Sequence, residues 1–164
     1  MITLYGSTIS NYYNKVKLVL LEKNLPFTEQ LQRTRSTDEA VLNATPLGKI
    51  PFVRIGDRTL CESQVIVDCL EAMHPNPPLV PADPVAVAKV RELCVFMELY
   101  VELVGRELYG EAYFGGKTSE EVKASVRERL TKNLAALKRL VKFSPYIAGP
   151  EFTVADASAF ATLP

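Results

Sequence analysis

Residues 46–63 read Pro46-Leu47-Gly48-Lys49-Ile50-Pro51-Phe52-Val53-Arg54-Ile55-Gly56-Asp57-Arg58-Thr59-Leu60-Cys61-Glu62-Ser63. Phe52 to Ile55 and Thr59 to Cys61 are short runs rich in β-favouring side chains, and Gly56-Asp57-Arg58 between them reads as a turn, so the stretch predicts an antiparallel hairpin. Ser63 then opens a helix to about Met73. Its Ile66, Leu70 and Met73 fall at i, i+4 and i+7 and predict one buried stripe. Pro51 stands where the first hairpin strand begins, a position that tolerates proline.

Working towards the N-terminus, a short helix is expected around Thr37 to Leu42, capped by Thr37 or Ser36. Phe27 to Leu31 and Ile2 to Tyr5 read as strands, and Gly6 ends the latter. Residues 11–24 between them read as a helix stopped by Asn24 and Pro26. The resulting order is β-α-β-α-β-β-α. The first βαβ unit predicts a right-handed parallel crossover. This is a thioredoxin-like arrangement, an α/β domain expected over residues 1–74.

Towards the C-terminus, the segment 75–83 holds Pro75, Pro77, Pro78 and Pro81, which cannot continue a helix, and it reads as a linker. An all-α helical bundle is expected over 84–164. Its first helix starts at Pro84 and is ended by Gly115-Gly116. Val87, Val90, Cys94, Met97, Val101, Val104 and Leu108 step by three and four along its buried seam. Thr118-Ser119-Glu120-Glu121 caps the next helix, whose buried face is Val122, Val126, Leu130, Leu134, Leu137 and Val141. Thr153 with Asp156 caps a last helix. That helix has little length in which to bury an apolar face, so the helical domain is expected to be incomplete.

Composition narrows the function. Nineteen basic and nineteen acidic residues leave no formal net charge and no basic stripe, which argues against a nucleic-acid partner. No apolar run is long enough to span a bilayer, and the N-terminus lacks the pattern of a signal peptide, so a cytoplasmic protein without membrane association is expected. Three cysteines without a CxxC are expected to be buried, reduced thiols. A single histidine, His74, near a helix end gives no case for a metal.

Four patterns occur in order: Leu4-Tyr5-Gly6 followed after three residues by Ser10; Asn43, then Pro46-Leu47-Gly48-Lys49-Ile50-Pro51; Glu62-Ser63 with Ile66; and Thr153-Val154-Ala155-Asp156. Together they make the chain resemble the cytosolic glutathione transferases, in particular the bacterial, serine-type members with a phi- or zeta-like N-terminal site. The resemblance covers nearly the whole chain but lacks the family's last helices. It implies a homodimer that uses glutathione as co-substrate, without a metal. The implied reaction is conjugation of the glutathione thiolate to a small hydrophobic electrophile, a detoxification activity. Two alternatives carry over from the same family: a non-enzymatic interaction scaffold of the stringent-starvation-protein kind, and a glutathione-dependent isomerase or peroxidase.

The resemblance also implies roles for particular residues. The Ile50-Pro51 bond is expected to be cis and to present the Ile50 backbone as a free strand edge for the cysteinyl residue of glutathione. Ser63, at a helix start, suits the γ-glutamyl carboxylate, and Glu62 suits the neighbouring ammonium. Arg35 and Lys49, with Thr34 nearby, lie where the family contacts the glycyl carboxylate. Ser10 is expected to donate a hydrogen bond to the sulfur. Lowering a thiol pKa by about two units from its usual 8.5 needs ~2.7 kcal/mol. A hydrogen bond to a charged group contributes roughly 1.5–3 kcal/mol and a helix N-terminus up to ~1 kcal/mol, so one hydroxyl there suffices. Tyr5, which matches by position the tyrosine of other classes, is the rival donor, and Ser7 and Thr8 are further alternatives within the same loop.

Overall fold

The computed structural model describes residues 1–163. They divide into two compact units, Met1–Val80 and a second that begins at Pro81.

The first unit contains β1 (Ile2–Gly6), α1 (Asn11–Glu22), β2 (Phe27–Leu31), α2 (Glu39–Ala44), β3 (Phe52–Ile55), β4 (Arg58–Cys61) and α3 (Ser63–Met73), in the expected order. The sheet runs β2-β1-β3-β4, with β1 and β2 parallel and the other pairs antiparallel. Side chains alternate across a strand. Ile2 and Leu4 on β1 and Val53 on β3 therefore share one face and are buried there with Val16, Val19 and Leu20 of α1 and Ile66, Val67 and Leu70 of α3. Tyr5, Phe52 and Arg54 point to the opposite face, where α2 lies.

Three local expectations are corrected. The second helix spans Glu39–Ala44 rather than 37–42, and Asp38 caps it by accepting the Ala40 amide at 2.8 Å. Ser36 is occupied elsewhere: its amide bonds the Gly48 carbonyl and its hydroxyl accepts from the Asp38 amide. In α3, Met73 is 49% exposed and Val67 takes its place in the core. Two lysines, Lys15 within α1 and Lys23 at its C-cap, sit where apolar residues are usual. Lys15 and Lys23 are both buried.

Lys23 explains how the linker is held. Its ammonium pairs with Glu71 at 2.6 Å and donates to the carbonyls of His74 and Pro77 at 2.7 and 2.8 Å. Glu71 in turn accepts the Leu79 amide, and Leu79 is buried. The residue next to the α3 terminus, His74, takes part through its backbone.

The single long helix expected from Pro84 is instead a relay. It comprises α4 (Pro84–Met97), a π turn (Glu98–Glu102), α5 (Leu103–Gly105), a 3-10 turn (Arg106–Leu108) and α6 (Tyr109–Phe114), ended by Gly115 in the left-handed region. The seam survives, with Val90, Cys94, Met97, Val101 and Val104 buried. The widened turn also brings Glu102 inside, where Arg106 and the Tyr109 hydroxyl bond its carboxylate. A carboxylate cannot be buried without such partners.

Next comes α7 (Glu120–Leu137), capped by Ser119. Val126 and Leu137 are buried, but Leu134 is exposed, contrary to expectation. Last is α8 (Val154–Thr162), with Thr153 and Asp156 forming a reciprocal capping box. Asp156 also accepts the Ile147 amide at 2.8 Å, fastening the preceding loop. Of the cysteines, Cys94 is buried, whereas Cys61 and Cys69 are half-buried, and all three are free thiols. The latter two lie at the end of the edge strand β4 and on α3.

Candidate functional site

The strand register brings the candidate residues to one end of the sheet. Tyr5, next to the last residue of β1, pairs with Phe52, the first of β3. Phe52 pairs with Cys61, the last of β4. From this end, β1 leads through a short loop to Ser10, β3 is entered from Ile50-Pro51, and β4 leads directly into Glu62-Ser63. Three separate stretches of sequence thus converge there, together with the N-termini of α1 and α3.

Ser10 is the N-cap of α1. Its Oγ accepts the Tyr13 amide at 3.3 Å, and its own amide bonds the Ser7 carbonyl at 2.9 Å. Capping uses a lone pair of the hydroxyl, so the proton stays available for an acceptor beyond the helix. The loop is held from both sides. Asn14 donates to the Thr8 carbonyl at 2.9 Å. The Tyr13 ring lies against Gly6, where an added Cβ would approach it to 2.4 Å. The Tyr13 hydroxyl reaches across to Glu29 of β2, which also pairs with Lys17 at 2.9 Å. Burial and the adjoining carboxylate push the Tyr13 hydroxyl up, while the Tyr13 and Lys17 hydrogen bonds hold the Glu29 carboxyl below its usual range. This clamp fixes the start of α1 against the sheet.

Tyr5 is placed differently. Its ring stacks on Phe52 with centroids 4.5 Å apart, and the Arg54 guanidinium lies 5.9 Å from its centre. These residues, with Gln32, Val41 and Ala44, line a cleft of about 240 Å³ on the α2 side of the sheet.

The Ile50-Pro51 bond is cis, and Pro51 is buried while Ile50 is half-buried. Gly48 lies directly against Ser36. Its φ is 59°, and a Cβ there would sit 2.3 Å from the Ser36 carbonyl oxygen. Only glycine permits so close an approach. Arg35 and Lys49, both exposed, are the chain neighbours of these two contacting residues. Arg35 itself adopts a φ of 61°.

Glu62 has φ 69° and ψ 112°, a region costly for a residue with a Cβ. It precedes α3 as its N-cap residue, but its side chain makes no capping bond. Ser63 is the first helical residue rather than the cap, and it is buried. Among the described residues, no side chain caps α3, so its first amides face the same end of the sheet as Ser10. Uncapped amides at a helix N-terminus form an anion site. Gln64, which the sequence reading passed over, lies beside Ser63 and accepts a hydrogen bond from Lys15 at 2.7 Å. Among the described residues, no cluster of His, Cys, Asp or Glu side chains forms a metal site, and no helix is long and apolar enough to cross a membrane.

A thioredoxin-like unit followed by a helical unit defines the class. The N-terminal domain model of the glutathione S-transferases matches residues 4–78. A glutathione S-transferase of Pseudomonas putida is 43% identical over 156 residues, which cover 95% of this chain and 70% of that protein. A stringent starvation protein A homolog of Histophilus somni is 27% identical over the same shares. Among solved structures, a glutathione S-transferase of Methylobacterium radiotolerans in complex with glutathione sulfonate superimposes with a TM-score of 0.81. It is 28% identical, over 98% of this chain and 76% of that one. The chain belongs to the glutathione S-transferase family.

Proposed function

We propose that the chain is a glutathione S-transferase that adds the thiolate of glutathione, its co-substrate, to a small hydrophobic electrophile. The observation that carries this reading is the convergence of Ser10, Ile50-Pro51 and Ser63 at one end of the sheet, beside two helix N-termini. Glutathione lies extended in this proposal. Its cysteinyl backbone pairs with Ile50 beside Pro51, and its γ-glutamyl carboxylate meets Ser63 and the free amides of α3. Glu62 takes the ammonium, and Arg35 and Lys49 take the glycyl carboxylate. Ser10 donates a hydrogen bond to the sulfur and so stabilises the thiolate that forms when the thiol loses its proton to solvent. It does not act as a base, because a serine hydroxyl holds its own proton. Residues 1–74 form the glutathione-binding domain, 75–83 the linker and 84–164 the helical domain. The protein works as a cytoplasmic homodimer in detoxification.

Similarity to a stringent starvation protein A homolog supports a second reading, a scaffold that binds a protein partner without turnover. Two measurements on the folded wild type separate them. Calorimetric titration with glutathione should show saturable binding, and 1-chloro-2,4-dinitrobenzene should be conjugated in a glutathione-dependent reaction. Binding without turnover favours the scaffold. A folded protein that does not bind glutathione overturns both the site and the enzyme.

A further inference from the structure

We propose that Lys15 is a positioning residue that locks the two helix N-termini of the glutathione site to each other. The proposal rests on the reading of that site given above. Lys15 lies on α1, five residues after Ser10, and retains only 3% of its exposure. Its ammonium donates to Gln64 Oε1 at 2.7 Å. Gln64 is the second residue of α3, next to Ser63, and its amide nitrogen donates to Asp68 Oδ1 at 3.2 Å, one turn further along. Lys15 and Asp68 take part in further interactions as well.

A lysine is rarely buried unless paired. An apolar residue at 15 would fill the same α1–α3 layer as Val16 and Val19. What the lysine adds is a directional bond between the helix that presents Ser10 and the helix that presents Ser63. Apolar packing between α1 and α3 is by itself non-directional. A charge-assisted hydrogen bond at 2.7 Å fixes the offset between them. Glutathione spans that offset, with its sulfur at Ser10 and its γ-glutamyl end at Ser63. Lys15 touches neither group. It also orients the Gln64 carboxamide, so that the Gln64 NH₂ group faces Asp68.

The test uses Lys15→Met, Gln64→Leu and the double variant, with folding checked by circular dichroism and thermal unfolding. Each single variant should raise KM for glutathione about tenfold, while kcat at saturating glutathione falls by less than twofold. The double variant should lose clearly less than the sum of the two single losses, because the Lys15–Gln64 bond is common to both. Lys15→Arg, which keeps a donor, should recover most of the affinity. Gln64 is only half-buried, so Gln64→Leu carries the test if Lys15→Met does not fold. Unchanged KM in a folded single variant overturns the proposal, and so do additive losses in the double variant. Failure of the underlying reading looks different: the wild type itself would not bind glutathione.

Discussion

Replacing Ser10 separates its two tasks, because they have different energetics. As N-cap, Ser10 accepts the Tyr13 amide over a rather long 3.3 Å. Alanine at such a cap costs about 0.5–1 kcal/mol here, the lower part of the usual range, while glycine costs only a few tenths. As thiolate donor, the same hydroxyl is worth roughly 1.5–3 kcal/mol to the charged sulfur. At ~1.36 kcal/mol per unit, its loss raises the pKa of bound glutathione by about one to two units. Both Ser10→Ala and Ser10→Gly lose the donor, so they should share the catalytic defect while differing in stability. The sign follows from which form the donor favours. Ser10 stabilises the thiolate, so it lowers the pKa and extends activity to lower pH; without it the profile moves to higher pH. If the wild-type site holds the thiol about two units below its usual 8.5, most of it is thiolate at pH 7. A rise of one to two units then leaves between about a quarter and a few per cent. The rate at pH 7 falls roughly 3- to 25-fold and returns largely at pH 9. Ultraviolet difference spectra of bound thiolate against pH, with kcat/KM over the same range, measure this directly. Ser10→Thr should restore much of it. An unchanged thiolate pKa in both Ser10→Ala and Ser10→Gly refutes the assignment. A large rise in Tyr5→Phe in that event moves the donor to Tyr5.

Three further outcomes follow from the same geometry. Lys23→Met removes one partner of a buried ion pair and leaves Glu71 facing a methyl group, so stability by urea unfolding should drop by about 3–5 kcal/mol; a loss under 1 kcal/mol contradicts the buried pairing. Glu62→Gly relieves a positive φ but discards the carboxylate, so stability should change by less than ~1 kcal/mol while calorimetric affinity for glutathione falls about tenfold. Equal affinity shows that Glu62 holds no ammonium. The Glu29 carboxyl is held down in the folded protein, so its contribution is present above the unfolded carboxylate pKa and is lost as pH falls through the lower folded value. Glu29→Gln should therefore flatten the acid limb of stability below about pH 4.5, in denaturation curves taken across that range. An unaltered acid limb argues against the Tyr13–Glu29–Lys17 clamp.

The positions of the candidate residues in the fold were largely readable, because they have local reasons to be where they are. Ser10 must precede a helix, Pro51 must start a strand, and Ser63 must follow the hairpin; each is a rule of chain geometry that one window of sequence displays. The misplacements share a cause. The cap of α2 went to Asp38 because Ser36 is held by Gly48, twelve residues away, and no local pattern shows that bond. The α4 seam kept its three-four rhythm through a π turn. The extra residue shows only in the burial of Glu102, whose partners Arg106 and Tyr109 lie four and seven residues on.

Lys15 and Lys23 mark the boundary of what pattern can show. They step by four with Val19, so the sequence already placed two lysines on the buried face of α1. Taken as interruptions, they weaken the prediction of an amphipathic helix. Taken physically, they are stronger signals than the valine between them, because each buried ammonium obliges a partner somewhere in the fold. Lys23 finds its partners at the α3 terminus and the linker, and Lys15 finds one at the α3 start. One helix therefore grips another at both ends, through charges that only the packed unit can pair. At the lower end the grip holds the linker to the domain. At the upper end it lies one residue from Ser63, and in the proposed reading that bond sets the distance between the group that would anchor glutathione and the group that would activate it.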